Sequence, residues 1–239
     1  LSNKLDGSEL SQADLELDKI VYQSLKKLDI TVPVISEERK VEKEEFLNRK
    51  YWLVDPIDGT RNYVNGGDQY TVNIALILNG NPVIGLIAHP PSDRVWLAIE
   101  NSISLFNVKQ NTKHKIFKFK SPVENPTILI SREKNFRTDD FINNINNKKI
   151  AFISSSLKFC YLVMNKAILY PRFSKIKKWD IAAGHALLRA SGGDLVGVNE
   201  EKYTYDYPSE FSEEFLAFNS KNWKKYFSFK KPINSNFII

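Results

Sequence analysis

The chain has 239 residues, of which 42% are hydrophobic, so it can bury the core of one large domain or of two small, closely packed ones. Its 34 lysine and arginine residues exceed its 28 aspartate and glutamate residues, and the basic balance allows nucleic acid, anionic lipid or a small phosphorylated substrate as a partner. The single cysteine, Cys160, excludes an intrachain disulfide and a cysteine-cluster metal site. No apolar run approaches the roughly 20 residues that span a bilayer. Together these two features predict a cytoplasmic protein.

The N-terminal half begins with a predicted helix. Residues 11–29 carry apolar side chains at helical spacing, and Ser11 with Asp14 forms a predicted capping pair. After a charged loop, the apolar run Tyr51-Trp52-Leu53-Val54 predicts a buried strand that ends at Asp55. The acidic residues that follow are therefore expected at the end of a strand.

An antiparallel meander is predicted next, because short β-rich runs alternate with turn sequences. The three predicted strands cover residues 70–78, 83–88 and 95–99. Residues 107–149 are rich in lysine and asparagine around one apolar run, and we expect a boundary there between an N-terminal part, residues 1–120, and a C-terminal part, residues 121–239.

The C-terminal half alternates predicted strands with helical segments. Residues 150–153 and 167–170 read as strands, and residues 157–165 fit either a helix or a strand. Residues 180–190 predict a helix closed by Gly192-Gly193.

The hexapeptide Asp55-Pro56-Ile57-Asp58-Gly59-Thr60 carries the chemistry with the clearest pattern. If both carboxylates converge, their repulsion calls for a cation between them, and magnesium prefers such hard oxygen ligands. The Ile57 carbonyl can add a neutral ligand, and Thr60 can cap a following helix whose N–H groups receive a phosphate. Aspartate, proline and glycine at this spacing also make an ordinary turn, so the hexapeptide alone leaves both interpretations open.

Three further carboxylate positions are ambiguous when each is taken alone. Glu37-Glu38 follows an apolar segment and fits either a second acidic strand end or a solvated loop. Asp180 precedes the small-residue run Ala182-Ala183-Gly184 and fits either a metal ligand or a helix N-cap. Asp14 fits either a catalytic carboxylate or only the capping partner of Ser11.

Together these motifs resemble the inositol monophosphatase superfamily of lithium-sensitive, magnesium-dependent phosphatases. The matching segments are Glu37-Glu38, the hexapeptide, and Trp179-Asp180 with Ala182-Ala183-Gly184, in the expected order. Within the superfamily, Ser155-Ser156-Leu157-Lys158-Phe159-Cys160 and its neighbours are most similar to the bacterial 3′(2′),5′-bisphosphate nucleotidases of the CysQ type. The resemblance implies a layered αβαβα sandwich, an α/β (α+β) fold with the acidic strand ends at the junction of its two parts.

The resemblance also implies roles for individual residues. Two or three Mg²⁺ ions are expected on Glu37, Asp55, the Ile57 carbonyl, Asp58 and Asp180. Gly59 and Thr60 are expected to meet the scissile phosphate, while Asp14, hydrogen-bonded to Thr60, positions and deprotonates the attacking water with support from Glu37. Ser155, Lys158 and Arg172 are expected to bind a second, non-reacting phosphate.

The expected reaction is hydrolysis of 3′-phosphoadenosine 5′-phosphate to AMP and phosphate. One alternative is an inositol-phosphate or other small phosphate-monoester phosphatase on the same fold. From a different class, an RNA-binding or membrane-surface protein would use the scattered lysines and the Lys- and Phe-rich residues 220–239, which carry no other assignment. We expect no nucleic-acid partner; a peripheral contact with the inner membrane is compatible with the tail, and the oligomeric state stays open.

Overall fold

The computed structural model describes residues 2–3, 9–116, 126–133, 135–206 and 208–231. Its strands are β1 (Ser2–Asn3), β2 (Glu9–Leu10), β3 (Val34–Ser36), β4 (Lys50–Asp58), β5 (Thr71–Leu78), β6 (Asn81–His89), β7 (Arg94–Ile99), β8 (Ser102–Asn107), β9 (Thr112–Ile116), β10 (Thr127–Ile130), β11 (Lys149–Phe152), β12 (Leu169–Arg172), β13 (Asp194–Gly197) and β14 (Phe215–Phe218). Its α-helices are α1 (Gln12–Leu28), α2 (Thr60–Val64), α3 (Phe136–Asn143), α4 (Leu157–Val163) and α5 (Ala182–Ser191). Short 3₁₀ helices cover Lys43–Leu47, Pro90–Ser92, Lys178–Asp180 and Trp223–Tyr226.

Two large sheets dominate the fold. The first has seven strands in the order β3-β4-β5-β6-β7-β8-β9, with β3 and β4 parallel and every other pair antiparallel. The second has five strands in the order β11-β10-β12-β14-β13, in which β10 runs parallel to both of its neighbours. The predicted antiparallel meander is thus confirmed as β5, β6 and β7.

Helices and sheets alternate in five layers. Helix α1 packs on the outer face of the seven-stranded sheet, where Val21 and Leu25 meet Trp52 and Val54. Helices α4 and α5 fill the space between the two sheets. Helix α3 packs on the far face of the five-stranded sheet through Phe141, among others. The predicted αβαβα sandwich is confirmed.

The small residues of α5 allow unusually close packing. Helix α5 lies so near β6 that a Cβ atom added to Gly85 would meet the Ala183 carbonyl oxygen at 2.4 Å. A Cβ atom added to Gly184 would meet the ring of Phe159 at 2.1 Å. The small residues Ala183 and Gly184 therefore bring α5 into direct contact with β6 and α4.

Several segment boundaries differ from the sequence prediction. Helix α5 begins at Ala182, because Asp180 belongs to the preceding 3₁₀ turn, so the N-cap interpretation of Asp180 is wrong. The ambiguous residues 157–165 contain α4, which is buried on nearly all sides and therefore has no polar face to reveal its period. The proposed division after residue 120 falls within residues 117–125, outside the described residues, and stays a proposal.

The described part of the C-terminal tail packs against the core. Trp223 is buried and stacks on Phe218, and Phe227 is also buried. Residues 232–239 lie outside the described residues. Among the helices that the structure describes, none combines the length and the apolar character required to cross a membrane.

Candidate active site

Strand β4 carries the hexapeptide into the centre of the fold. The strand runs to Asp58 instead of ending at Asp55, with a shift in its pairing to β5 between those two residues. Pro56 lies within the shift, where its missing N–H interrupts the ladder without leaving a donor unpaired. The shift separates Asp55 from Asp58 along the strand and keeps both at the same end of the sheet.

Gly59 makes the sharp exit from the strand. Its φ of +95° lies in the left-handed region, and an added Cβ would lie 3.0 Å from the Gln69 carbonyl oxygen, so only glycine fits without strain. Gly59, not Thr60, occupies the N-cap position of α2, and the predicted capping role of Thr60 is wrong. The Thr60 side chain instead turns back toward the strand.

Thr60 connects the hexapeptide to α1. Its Oγ1 atom lies 3.0 Å from the Ile57 carbonyl oxygen and 3.4 Å from Asp14 Oδ1, and either oxygen can accept its proton. Asp14 Oδ2 accepts hydrogen bonds from the backbone N–H and the hydroxyl of Ser11. Asp14 is therefore both the capping partner of Ser11 and a hydrogen-bond partner of Thr60, and its catalytic role stays a prediction.

Three carboxylates meet at one point. Oxygen atoms of Glu37, Asp55 and Asp180 all lie within 4.8 Å of one another, although the residues come from three distant parts of the chain. Asp58 lies close enough for its negative charge, together with that of Glu37, to raise the pKa of Asp180. Glu37 and Asp180, which were ambiguous when taken alone, thus join Asp55 and Asp58 in a single cluster.

Burial makes it costly in free energy for every carboxyl group of this cluster to be charged. Burial raises the pKa of Asp180 well above its usual range, and the charges of Asp58 and Glu37 raise that pKa further. Burial also raises the pKa of Asp58, against the opposing effect of the Lys158 charge. A divalent cation held by several carboxylate oxygens relieves such repulsion, and the all-oxygen donor set fits magnesium.

The turn that presents Glu37 is fixed by two residues that the sequence patterns did not single out, Asp18 and Arg39. The Ser36 hydroxyl donates to Asp18 Oδ1 at 2.6 Å, and the Arg39 guanidinium pairs with Asp18 Oδ2 at 2.7 Å. The guanidinium also lies 3.8 Å from the ring centroid of Tyr22. A buried acidic residue four positions after Asp14, on the apolar face of α1, was the available signal for Asp18.

Lys158 lies in a loop-and-helix junction beside the cluster. Its Nζ atom donates to the carbonyls of Ile153 at 3.1 Å and Ser155 at 2.8 Å, and it lies 5.0 Å from the ring centroid of Tyr170. Burial lowers its pKa to about 8, and the charge of Arg172 lowers it as well. Lys158 thus holds the loop before α4 in addition to supplying a charge.

Arg172 lies on β12, across the cleft from that loop. Its Nη1 atom donates to the Ser131 hydroxyl at 2.9 Å, and its Nη2 atom pairs with Glu133 at 3.3 Å. Cys160, by contrast, is a buried free thiol whose pKa is raised by burial, which disfavours the thiolate that a nucleophile requires.

Two adjoining cavities join the acidic cluster to the basic residues. One has a volume of about 170 Å³ and includes Asp58, Asp180, Lys158 and Arg172 in its lining. The other, about 580 Å³, shares Lys158 and Arg172 with the first and is lined by Gly59 on the hexapeptide side. A ligand in this cleft can therefore touch two of the carboxylates, Asp58 and Asp180, as well as both cations.

The order of the motifs and the fold agree with one known family, whose model matches residues 2–225. The chain belongs to the inositol monophosphatase family. Curated relatives of this family member include the 3′(2′),5′-bisphosphate nucleotidase CysQ of Buchnera aphidicola subsp. Acyrthosiphon pisum, 35% identical over 82% of this chain and 73% of the relative. The enzyme of the same name from Escherichia coli strain K12 is 32% identical over 81% of this chain and 78% of its own length.

Solved structures share the fold at lower identity. CysQ from Bacteroides thetaiotaomicron superposes with a TM-score of 0.74 and 24% identity, covering 89% of this chain and 90% of that one. An inositol monophosphatase from Thermotoga maritima gives a TM-score of 0.75 at 20% identity, over 93% of this chain and 84% of that one.

Proposed function

We propose that the protein is a magnesium-dependent 3′(2′),5′-bisphosphate nucleotidase that hydrolyses 3′-phosphoadenosine 5′-phosphate to AMP and phosphate. The observation that carries the proposal is the cavity whose lining combines carboxylates of the acidic cluster with Lys158 and Arg172. The acidic end suits a metal-assisted reaction at one phosphate, and the basic end suits a second phosphate. The names of the curated relatives support the same activity.

The carboxylate cluster would hold the metal. Glu37, Asp55, Asp58 and Asp180 with the Ile57 carbonyl would bind two or three Mg²⁺ ions, since the buried carboxylates repel one another and all donors are hard oxygens. When bound, magnesium stabilises charge on phosphate oxygens and lowers the pKa of water. No histidine base or covalent nucleophile is required in such a site.

The chain's own groups would orient the attacking water. Asp14 Oδ1 and the Ile57 carbonyl flank the Thr60 hydroxyl, so this hydroxyl can accept a hydrogen bond from water while passing its own proton toward Asp14. Glu37 lies at the same end of the cleft and would support this role. Water attacks phosphorus, the bond from phosphorus to the 3′-oxygen breaks, and that oxygen leaves with a proton as the 3′-hydroxyl of AMP.

The basic end would recognise the non-reacting phosphate. Lys158 uses two of its three N–H groups on backbone carbonyls, which leaves one for an anion. Ser155 and Arg172 line the same cavity and offer a hydroxyl and guanidinium N–H groups. Because Lys158 also holds the loop, Arg172 is the cleaner residue for testing substrate choice.

The selectivity test compares kcat/KM for the bisphosphate and for a monophosphate without the second group. Arg172→Ala should raise KM for the bisphosphate roughly 10- to 100-fold, the loss expected for a charge-assisted hydrogen bond, with little effect on the monophosphate. Arg189→Ala is the matched control, since Arg189 is exposed on α5 and contacts Asn81.

The outcome that would contradict the proposal is equal loss on both substrates, or a parent enzyme that prefers an inositol phosphate. The second result would support the alternative phosphatase on the same fold. Asp58→Asn should abolish turnover of either substrate, because it removes a charge from the metal cluster.

A contact with the inner membrane stays a prediction. Trp223 and Phe227, which lie in the described part of the tail, are buried in the core and are not available to a lipid surface. A contact made by this described part of the tail would therefore depend on its lysines, and it would be detected as salt-dependent binding to anionic vesicles.

A further inference from the structure

A chain of hydrogen bonds ends on the carboxylate of Asp58. The Asn73 amide nitrogen donates to Asp58 Oδ2 at 3.3 Å, and the Ser156 hydroxyl lies 2.6 Å from the Asn73 amide oxygen. The Thr71 hydroxyl lies 2.7 Å from the Ser156 hydroxyl. Thr71, Asn73 and Ser156 are all buried.

The direction of every hydrogen bond in this series follows from the carboxylate of Asp58 at its end. A carboxylate oxygen can only accept, so the NH₂ group of Asn73 must face Asp58. The amide oxygen of Asn73 then accepts the Ser156 proton, and the Ser156 oxygen accepts the proton of Thr71. Rotating any one group would bring two acceptors or two donors together in a buried space, which costs free energy.

A second donor acts on the same oxygen. The backbone N–H of Ser156 donates to Asp58 Oδ2 at 2.5 Å. Asp58 Oδ2 thus accepts two hydrogen bonds, while Oδ1 accepts none from the residues that the structure describes. Asp58 is held in one orientation with a single oxygen available to a cation.

Asn73 also lies directly across from another carboxylate of the site. In the pairing of β4 with β5, Asp55 is opposite Asn73, and Asp58 is opposite Thr71. The relay therefore starts on the strand beside the carboxylates and crosses to Ser156, the residue between Ser155 and α4. It joins the metal side of the cleft to the loop that Lys158 holds.

We propose that Thr71, Ser156 and Asn73 form a positioning relay that sets Asp58 as a single-oxygen metal ligand. The inference rests on the metal site of the proposed function, but it does not depend on the identity of the substrate. The relay side chains hydrogen-bond to one another and to Asp58, so we expect their effect on a metal to pass through Asp58. Partners of this kind usually change metal affinity 10- to 100-fold when removed.

The test measures Mn²⁺ binding to the whole chain after metals have been removed with EDTA. Paramagnetic resonance detects the Mn²⁺ that remains free. Asn73→Ala should weaken Mn²⁺ binding by roughly 10- to 100-fold. Ser156→Ala should weaken it less, because its backbone N–H still reaches Asp58, and Thr71→Val should weaken it least. Ser156→Thr should restore the hydroxyl and the affinity.

A matched control separates positioning from packing. Ser191 is a buried serine on α5 whose hydroxyl donates to the Leu188 carbonyl at 2.9 Å, so Ser191→Ala removes one buried hydroxyl far from the carboxylates. It should lower thermal stability without changing Mn²⁺ affinity. Thr71→Val, which keeps the side-chain shape, remains informative if Asn73→Ala does not fold.

The inference is overturned if the folded relay variants bind Mn²⁺ as the parent does. It is also overturned if affinity falls in proportion to lost stability in every variant, including Ser191→Ala. Failure of the proposed function has a different signature: the parent would bind Mn²⁺ and respond to Asn73→Ala while leaving 3′-phosphoadenosine 5′-phosphate intact.

Discussion

The hydroxyl of Ser36 donates a hydrogen bond of 2.6 Å to Oδ1 of Asp18, and this contact joins the end of β3 to the middle of α1. Arg39 pairs with the other oxygen of the same carboxylate, so both ends of the turn around Glu37 are tied to one helix. The backbone N–H of Glu37 meanwhile donates to the Val54 carbonyl on β4. The position of Glu37 therefore depends on a carboxylate that is not itself part of the metal cluster.

Asp18→Asn should weaken Mg²⁺ binding and lower stability together. The free energy of unfolding should fall by about 1–3 kcal/mol, since the pair with Arg39 is half-buried and partly screened by solvent. The Mg²⁺ concentration that half-saturates activity should rise. Urea unfolding and metal-dependent kinetics measure the two effects.

The control for this prediction lies at the end of the same helix. Asp29 pairs with Lys50 at 3.3 Å, and both side chains are well exposed. Asp29→Asn should lower stability less than Asp18→Asn does and leave the Mg²⁺ requirement unchanged, because solvent screens an exposed ion pair. Equal effects of the two variants on that requirement would show that Asp18 does not position Glu37.

Asp180→Asn should stabilise the metal-free protein while abolishing turnover. The substitution removes one of several mutually repelling buried carboxylates, and each 1 kcal/mol gained should raise Tm by roughly 2–4 °C in a chain of this size. Addition of Mg²⁺ should stabilise the parent strongly and the variant much less, because the added stability grows with the logarithm of one plus the ratio of free ligand to Kd.

Thermal melts with EDTA and with Mg²⁺ make this comparison directly. An apo variant that melts below the apo parent would mean that Asp180 contributes to the fold by contacts other than repulsion. Retained turnover would remove Asp180 from the metal site.

His185 should make stability depend on pH below neutrality. Its ring donates from Nε2 to Asp194 at 3.1 Å and accepts from the Tyr205 hydroxyl at Nδ1, and burial lowers its pKa below the usual 6.5. The unfolded chain therefore takes up a proton first as pH falls through about 6.5, which favours unfolding.

The contribution of His185 to the free energy of unfolding should thus be constant above pH 6.5. At lower pH, it should decrease by up to about 1.4 kcal/mol per pH unit. His185→Gln should reduce the slope between pH 5 and 6.5 in urea titrations. Exposed His114 on β9 provides the control, and His114→Gln should keep the parent's slope. A parent whose stability rises as pH falls over this range would have the opposite linkage.

Removing the aromatic anchor of the tail should destabilise the five-stranded sheet. Trp223 packs against Phe218 and Phe227 in the outer core, so Trp223→Ala should cost about 3–5 kcal/mol in urea unfolding. Phe136→Ala, at a side chain that is 74% exposed, should cost little. A small loss for Trp223→Ala would mean that residues 220–231 are dispensable for the fold.

Contacts between residues that are close to one another in sequence could be predicted from the sequence. The capping pair of Ser11 and Asp14 and the meander of β5 to β7 are local patterns, and each was confirmed. Asp58 with Ser156 shows the limit, since the two residues are 98 positions apart and their contact depends on how the sheets meet. Asp18 and Asn73 likewise acquire their importance only from the fold.

Exposure and burial explain the remaining differences. Helix α4 is apolar on almost every side and so gave no helical period. The family resemblance implies only a phosphate-binding role for Lys158, whereas the structure also buries it and attaches its Nζ atom to two carbonyls. A sequence pattern identifies which residue carries charge, whereas only the packed structure determines what that charge contacts.

The central claim is tested most directly by incubating the parent protein with 3′-phosphoadenosine 5′-phosphate and separating the products. With Mg²⁺, we expect equal amounts of AMP and inorganic phosphate, no reaction in EDTA, and a higher kcat/KM than for an inositol monophosphate. Phosphate release that persists in EDTA, or adenosine 3′-phosphate as the product, would contradict the account.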